Sequence, residues 1–327
     1  MGDEITIRTM EPFDADGLSA CIRRCYGDSY PKRIMYEADV LAEQVRARVY
    51  NGVVATAGAD IVGHIGYNRP NPAAIVVEAG TTVVDARCRG AGLMGRLAAV
   101  LRENVIADGA FGFVHYPTTA HSVMQKASLQ SGGCETGVML AYLPPEARDL
   151  TIGGSGADRL AVTVVYQPLV EAPAREIFLP DCYHDLILNF AKHLQLRRTV
   201  SHLLTELSGK TKIRRTVDMN GSLERLTAEH IGNDFSAVVV SATANSNASL
   251  IHVDLTLNQP EIQPAVKALL AAGFAYCAWL PGWNESDVLR LQLPKNPTTE
   301  ELHPVLHSGP AEGIVARIRN ELASFLP

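Results

Sequence analysis

The chain has 327 residues, a formal net charge of −6 at pH 7, and 47% hydrophobic and 20% charged residues, a composition typical of a globular protein with about two domains. These values exclude collagen, coiled coils and wholesale disorder. No apolar run approaches the roughly 20 residues that span a bilayer, and residues 1–12 carry acidic side chains where a secretion signal has an apolar core. We therefore expect a cytoplasmic protein with no membrane partner.

The six cysteines are too sparse for a disulfide framework, and no Cys-x-x-Cys pair suggests zinc or redox chemistry. Lys and Arg are dispersed along a mildly acidic chain, which argues against a nucleic-acid partner. His303 and His307 have the spacing of metal ligands on a helix, but Pro304 and the following Gly309-Pro310 indicate a loop. No metal is therefore expected, whereas small or phosphorylated ligands remain compatible with local positive sites.

The first elements in chain order alternate between strand and helix patterns. Residues 5–8 alternate apolar and polar side chains as a half-buried strand does, and residues 14–25 place apolar side chains on one helical face. A turn-rich stretch at 26–36 precedes a short helical pattern at 40–49. Strand patterns at 52–56, 61–67 and 75–84 then predict a meander of three antiparallel strands.

A glycine-rich stretch at 89–95 follows this meander and opens a helix with an apolar stripe. A strand at 111–115, a helix at 121–130 and a strand at 136–143 come next, before Pro144-Pro145. We assign residues 1–147 to a first domain and 158–327 to a second. The glycine-rich residues between them, about 148–157, have the composition of a linker.

The second half repeats the end of the first. It starts with strand patterns at 160–165 and 213–217, a helix at 181–194 between them, and an apolar run at 237–240. A strand at 252–257, a helix at 261–272, a glycine stop, a strand at 275–280 and Pro281 then follow the same coarse order as residues 113–144. The repetition predicts two copies of one fold. A last helix at 313–326 is expected to pack on the second domain.

The glycine-rich turn is the segment with recognisable chemistry. A glycine-rich connection between a strand and a helix exposes backbone N–H groups at the positive end of the helix dipole, which favours phosphate. Arg89 and Arg96 add positive charge. The segment is not a Walker loop, since no Gly-Lys-Ser/Thr follows, and the preceding antiparallel strands are not those of a dinucleotide fold.

The residues from Val84 to Gly95, Val-Asp-Ala-Arg-Cys-Arg-Gly-Ala-Gly-Leu-Met-Gly, resemble the fourth-strand end and pyrophosphate loop of the GNAT acyltransferase superfamily, written Arg/Gln-x-x-Gly-x-Gly/Ala. Ala86 stands where a proline is common, and Met94 stands at the second Gly or Ala position, with Gly95 next. The resemblance covers about residues 5–143 and implies acyl-CoA or acetyl-CoA as the donor substrate. The implied donor-binding residues are Val83, Val84, Arg89, Gly90, Ala91, Gly92, Leu93, Met94, Gly95, Arg96 and His121.

The same resemblance implies a fold class, α/β (α+β), with two GNAT-like domains, each a mixed, mostly antiparallel twisted sheet flanked by helices. A splay between the fourth and fifth strands then admits the pantetheine arm of the donor. Residues 258–274 are similar to the family's terminal helix and its stop, but no pyrophosphate loop precedes them, so the second half resembles a degenerate copy and one donor site per chain is expected. An acyl carrier protein presenting phosphopantetheine fits the same cleft, so this partner stays open.

Acyl transfer to an amine needs a base, an oxyanion donor and an acid that protonates the departing thiolate. Glu78 stands six residues before Val84, where many GNAT enzymes have a carboxylate, and is the first candidate base; a structural ion pair is its alternative role. His115, at the end of the next strand, is a second candidate base with an expected pKa near neutrality, or else a structural histidine.

Three further residues complete the predicted site. Ser128 stands where the family places the tyrosine that protonates the thiolate, and Tyr116 is the phenol that can replace it from the neighbouring loop. His121 stands at a usual asparagine position, where it holds the donor arm or caps its helix. These residues predict direct transfer from a pantetheine thioester to an amine of a small-molecule acceptor. The alternative interpretation, favoured by the departures at Met94, Ser128 and His121, is a non-catalytic regulator that senses acyl-CoA.

Overall fold

A computed structural model describes residues 4–90, 92–145, 157–202 and 207–325. The helices are α1 (Ala15–Tyr26), α2 (Ala38–Arg46), α3 (Leu93–Ala107), α4 (Val123–Gln130), α5 (His184–His193), α6 (Phe235–Ala244), α7 (Ile262–Ala271), α8 (Thr299–Leu302) and α9 (Gly309–Leu322). The strands are β1 (Ile5–Thr9), β2 (Asn51–Ala57), β3 (Asp60–Asn68), β4 (Val76–Val84), β5 (Gly112–His115), β6 (Cys134–Leu143), β7 (Leu160–Pro168), β8 (Arg175–Ile177), β9 (Arg198–Val200), β10 (Lys212–Asp218), β11 (Leu223–His230), β12 (Leu250–Thr256), β13 (Ala275–Leu280) and β14 (Val288–Pro294).

Most of these strands lie in one mixed sheet flanked by helices, which confirms the predicted fold class. Within the described ranges the sheet has twelve strands in the order β1-β2-β3-β4-β5-β7-β6-β13-β14-β12-β11-β10, and β8 and β9 form a separate parallel pair. No helix in these ranges is long and apolar enough to cross a bilayer.

The first half of the sheet follows the predicted meander. β2, β3 and β4 pair antiparallel in sequence, and β4 then pairs parallel with β5. Alternate residues along β2 point to opposite faces: Val53 packs in the core under α3, whereas Val54 packs against α1 and α2. Helices therefore cover both faces of this part of the sheet.

The predicted boundary between the domains is wrong at one strand. β7 follows the predicted linker, but it lies between β5 and β6 and pairs antiparallel with both. Its residues are buried on both faces, as expected for a central strand rather than the first strand after a linker. The first half therefore ends after Pro168. Residues 148–156 of the predicted linker, which spans about 148–157, lie outside the described residues.

The second half repeats the strand order of the first. β10 and β11 pair antiparallel, β11 and β12 pair parallel, and β14 lies between β12 and β13, as β3/β4, β4/β5 and β7 do in the first half. The apolar run at 237–240 is part of α6, not an extended segment. β14 had no predicted counterpart because buried Arg290 and Gln292 interrupt its apolar pattern.

The two halves meet where β6 pairs with β13 at a single position, Gly137 opposite Ala278. A side chain at Gly137 would collide with the backbone at Cys277 and Ala278, so this approach requires glycine. Beyond it, the Gln292 amide donates to the Val138 carbonyl at 2.8 Å. These contacts join β6 of the first half to β13 and β14 of the second.

Candidate active site

The second part of β4 has an open edge. β4 pairs with β5 only from Val76 to Ala79, and within the described residues no strand pairs with residues 80–84 on that side. Thr81 has φ +53°, a conformation uncommon for a β-branched residue, and the β3/β4 register shifts between His64 and Gly66. The irregularity lies directly after the last β4/β5 pair, where a splay between these strands is expected.

The open edge leads directly into the glycine-rich turn before α3. Asp85 anchors the start of this turn, because Arg24 Nε donates to its carboxylate at 2.7 Å and Arg87 Nη2 at 2.8 Å. Hydrogen bonds from Arg87 and then Arg24 outweigh burial and hold the pKa of Asp85 well below its usual range. A fixed carboxylate therefore positions the turn and keeps two guanidinium groups beside it.

The turn exposes the N-terminus of α3. Gly90 and Gly92 have φ +81° and +68°, which side-chain-bearing residues adopt with strain. A Cβ at Gly90, Gly92 or Gly95 would meet nothing within 4 Å. Gly92 is the N-cap of α3 and provides no side-chain acceptor for its first N–H groups, so these donors and the positive end of the helix dipole are open to an anion.

The other predicted donor-binding residues differ in whether the side chain or only the backbone is accessible to a ligand. Val83 and Leu93 are core side chains, and Met94 is half-buried, so each offers only its backbone to a ligand in the turn. Val84 is half-buried and its carbonyl accepts a bond from Arg89 Nε at 3.0 Å. The Arg96 side chain is exposed and donates to the Ile5 carbonyl. Ala91 lies outside the described residues.

Glu78 lies at the start of the open edge and points away from α3. It stands opposite Val114 in the parallel β4/β5 pair, and opposite residues of such a pair point to the same face. Lys32 Nζ donates to Glu78 Oε1 at 3.5 Å, with side-chain exposures of 41% and 22%. Burial lowers the pKa of Lys32, but the Glu78 carboxylate and the Tyr30 phenol outweigh it and raise that pKa, so Lys32 stays charged.

Tyr116 lies close to Glu78. It follows β5 two residues after Val114 and packs on the same core cluster. Burial, and next the charge of Glu78, raise the pKa of Tyr116 well above its ordinary value. The Tyr142 ring on β6 is 6.0 Å from the Tyr116 ring. The structure thus brings a carboxylate and a protonated phenol together on one face, beside the open edge.

His115 belongs to the opposite face. It stands opposite Ala79, which packs in the core under α3 together with Phe113. Burial lowers the pKa of His115 to about 4, so the expected value near neutrality is wrong. A neutral imidazole on the other side of the sheet does not join Glu78 and Tyr116.

Ser128 and His121 lie at α4. The buried Ser128 hydroxyl donates to the Met124 carbonyl at 2.8 Å, which uses its single proton within the helix. The N-cap of α4 is Ser122, so the predicted capping role of His121 is wrong. His121 lies in the turn just before this N-cap, and its carbonyl accepts from Gln125.

A cluster of polar side chains on β11, β12 and β14 was not predicted from the sequence. Arg225 on β11 stands opposite His252 on β12, and Asp254 on β12 stands opposite Arg290 on β14. The His252 ring stacks on the Tyr142 ring at 6.1 Å, which places this group next to Tyr116 and Glu78. No sequence motif marks these residues, because they meet only through non-local strand pairing.

The second half has a different connection before its own helix α6. Gly232 is packed against backbone, since a Cβ there would lie 2.5 Å from Thr211 N and 2.6 Å from the Gly209 carbonyl oxygen. Asp234 is the N-cap of α6 and accepts a bond from Thr211 N at 2.8 Å. That bond holds the pKa of Asp234 at about 2, so a negative charge occupies the position that the first half leaves open. Elsewhere in the described ranges, no group of three or more His, Cys, Asp or Glu is arranged for a metal ion.

No protein-family model and no curated protein matches the sequence. Several N-acetyltransferases are among the solved structures that are similar to the chain. An N-acetyltransferase from Staphylococcus aureus Mu50 is 17% identical, with a TM-score of 0.42, and the match covers 51% of this chain and 99% of that one. The ribosomal-protein-S18-alanine N-acetyltransferase from Escherichia coli is 14% identical, with a TM-score of 0.41 and coverages of 52% and 97%. The PaiA N-acetyltransferase from Thermoplasma acidophilum, in complex with coenzyme A, is 13% identical, with a TM-score of 0.37 and coverages of 50% and 99%.

Proposed function

We propose that the protein is an acyltransferase that moves an acyl group from a pantetheine thioester to an amine. The observation that carries this proposal is the continuity of three features: Glu78, the open edge of β4 at residues 80–84, and the uncapped glycine turn before α3. An extended arm that ends in phosphates fits such a track, because the edge supplies main-chain hydrogen bonds and the turn supplies an anion site. Acetyl-CoA or another acyl-CoA is the proposed donor.

The proposed reaction is a direct attack. The acceptor nitrogen forms a bond to the thioester carbonyl carbon, the carbon–sulfur bond breaks, and the sulfur leaves as a thiolate. Glu78 takes the proton from the attacking nitrogen, and an unpaired N–H group of β4 stabilises the oxyanion. Tyr116 donates its proton to the thiolate, a role supported by the raised pKa that keeps its phenol protonated.

The same arrangement accommodates a carrier-protein donor. Arg87 and Arg96 are exposed beside the turn, so their charges are accessible to the phosphates of CoA or to the single phosphate of a carried pantetheine arm. Initial rates with acetyl-CoA and with an acetylated acyl carrier protein separate these donors. The repeated strand order supports the proposal of two duplicated halves. The uncapped start of α3, in contrast to the Asp234 N-cap of α6, supports placing the donor in the first half.

The test is thiol release from acetyl-CoA with a mixed amine panel, for the wild type, Glu78→Gln and the matched control Glu103→Gln on the exposed face of α3. Removing a general base is expected to lower kcat by about 100-fold or more, whereas affinity for a CoA analogue stays within about twofold because Glu78 lies away from the turn. The control keeps wild-type turnover. Tight CoA binding without turnover by any amine would overturn the enzyme proposal and support an acyl-thioester sensor.

A further inference from the structure

His252 is a buried polar residue that the proposed acyl transfer does not use. Its side chain is fully buried, and among the described residues neither ring nitrogen has a hydrogen-bond partner. Burial, followed by the charges of Arg290 and Arg225, lowers the pKa of His252 well below its ordinary value. The ring is therefore neutral, and both an N–H donor and a nitrogen acceptor are unsatisfied, an uncommon state in a protein interior.

Two arginines and one buried aspartate lie near His252. Arg290, itself fully buried, donates two hydrogen bonds to the Asp254 carboxylate at 2.6 and 2.8 Å. Arg225 Nε is buried, lies 3.8 Å from the same carboxylate and makes no hydrogen bond to any described residue. Its other acidic neighbour, Asp218, is also 3.8 Å away and about half exposed. One buried carboxylate thus faces two guanidinium groups, and of the residues described only the half-exposed Asp218 offsets the second positive charge, which favours a buried anion beside Arg225.

This positive site and Glu78 are connected by a wall of aromatic rings. The Tyr116 ring is 6.0 Å from the Tyr142 ring, and the Tyr142 ring is 6.1 Å from the His252 ring, to which it is nearly parallel. Besides burial, which raises it most, the charges of Glu78, Arg290 and Arg225 all act on the pKa of Tyr116, so both ends of the wall lie near this phenol.

We propose that the second half binds the acyl acceptor, and that this acceptor is an amine that also carries a carboxylate, held by Arg225 and the His252 N–H group. This inference rests on the proposed function, because it places the reacting amine at Glu78. The wall spans two ring-centroid distances, from Tyr116 to Tyr142 and from Tyr142 to His252. The amine and the carboxylate of the acceptor are therefore on the order of 10 Å apart, which is close to the length of an extended tripeptide. In an α-amino acid the two groups are much closer together. A short peptide with a free carboxyl terminus is the ligand class that fits.

The test compares a tripeptide library that has free carboxyl termini with the same library as carboxyl-terminal amides. Acetyl-CoA thiol release is measured with each, and binding of each library is measured without donor by ligand-observed NMR. The proteins are the wild type, Arg225→Gln, His252→Phe, which keeps a ring against Tyr142, and the control Arg214→Gln, whose side chain makes an exposed ion pair on the neighbouring strand. Melting temperatures verify that each variant is folded.

The wild type and Arg214→Gln are expected to prefer free carboxylates by roughly tenfold or more, and both site variants are expected to lose most of that preference. Equal use of acids and amides by the wild type, or an unchanged preference in folded Arg225→Gln, overturns the inference. Carboxylate-dependent binding without thiol release supports this site and contradicts the proposed function, so the two failures are distinguishable.

Discussion

The parallel strand pairs β4/β5 and β11/β12 occupy corresponding places in the two halves of the sheet, yet they open differently. β4 continues for five residues beyond its last pair with β5, whereas β11 continues for only two beyond Ala228, its last pair with β12. The turn after β4 has open glycines and an uncapped helix. The connection after β11 has a packed glycine and the charged N-cap Asp234.

The third residue pair, counted from the start of each parallel ladder, shows a second difference. In the first half it joins Glu78 and Val114, and in the second it joins Arg225 and His252. The same strand arrangement thus presents a carboxylate at β4/β5 and a guanidinium group beside an imidazole at β11/β12. Apolar packing therefore sets the repeated strand order, whereas a few polar residues and glycines determine which groups each half presents.

The largest expected effect is the loss of stability when a carboxylate that forms ion pairs with arginines is removed. Asp254→Ala leaves the fully buried Arg290 without its bidentate partner, which is expected to lower the free energy of unfolding by about 3–5 kcal/mol. Asp85→Ala is expected to cost less than half as much, because Arg24 and Arg87 both reach solvent. Urea denaturation measures both, and equal losses would contradict the difference in burial.

The next effect concerns donor binding at the glycine turn. Gly92→Asp forces a side chain onto φ +68° and adds a negative charge where phosphate is proposed to bind, so affinity for a CoA analogue is expected to fall by about 100-fold or more. Calorimetry measures this loss. Gly313→Asp, at another open glycine in a helix, is the control with unchanged affinity.

The smallest expected effect is the change in stability when alanine replaces a glycine near the start of α3 or of α6. Gly232→Ala places a Cβ against backbone atoms of Thr211 and Gly209 and is expected to destabilise the protein by about 1–3 kcal/mol. Gly95→Ala enters open space in the first part of α3 and is expected to be neutral or stabilising by up to about 1 kcal/mol. Thermal unfolding of both variants checks the sign. Similar losses at both positions would show that the turns are packed alike.

The sequence predicts local features of this molecule well and non-local ones poorly. The meander and the strand-to-helix glycine turn are local patterns, and the splay after Ala79 was expected only from the resemblance. The place of β7 depends on pairing with β5, where Gly112 stands opposite Pro168 and His115 opposite Val165, and the linker-like composition before Leu160 concealed it. Arg225 and His252 are far apart in sequence and meet only through the parallel pair, so no spacing rule identifies them.

We propose that the two halves do unequal work, with the thioester donor bound only in the first. Calorimetric titration of the full chain with a non-hydrolysable acetyl-CoA analogue tests it most directly, for the wild type and for Gly95→Asp, which adds a charge at the turn without requiring a positive φ. We expect one site per chain in the wild type and no measurable binding in Gly95→Asp. Two equivalent sites per chain, or full-affinity binding that survives the substitution, would contradict it.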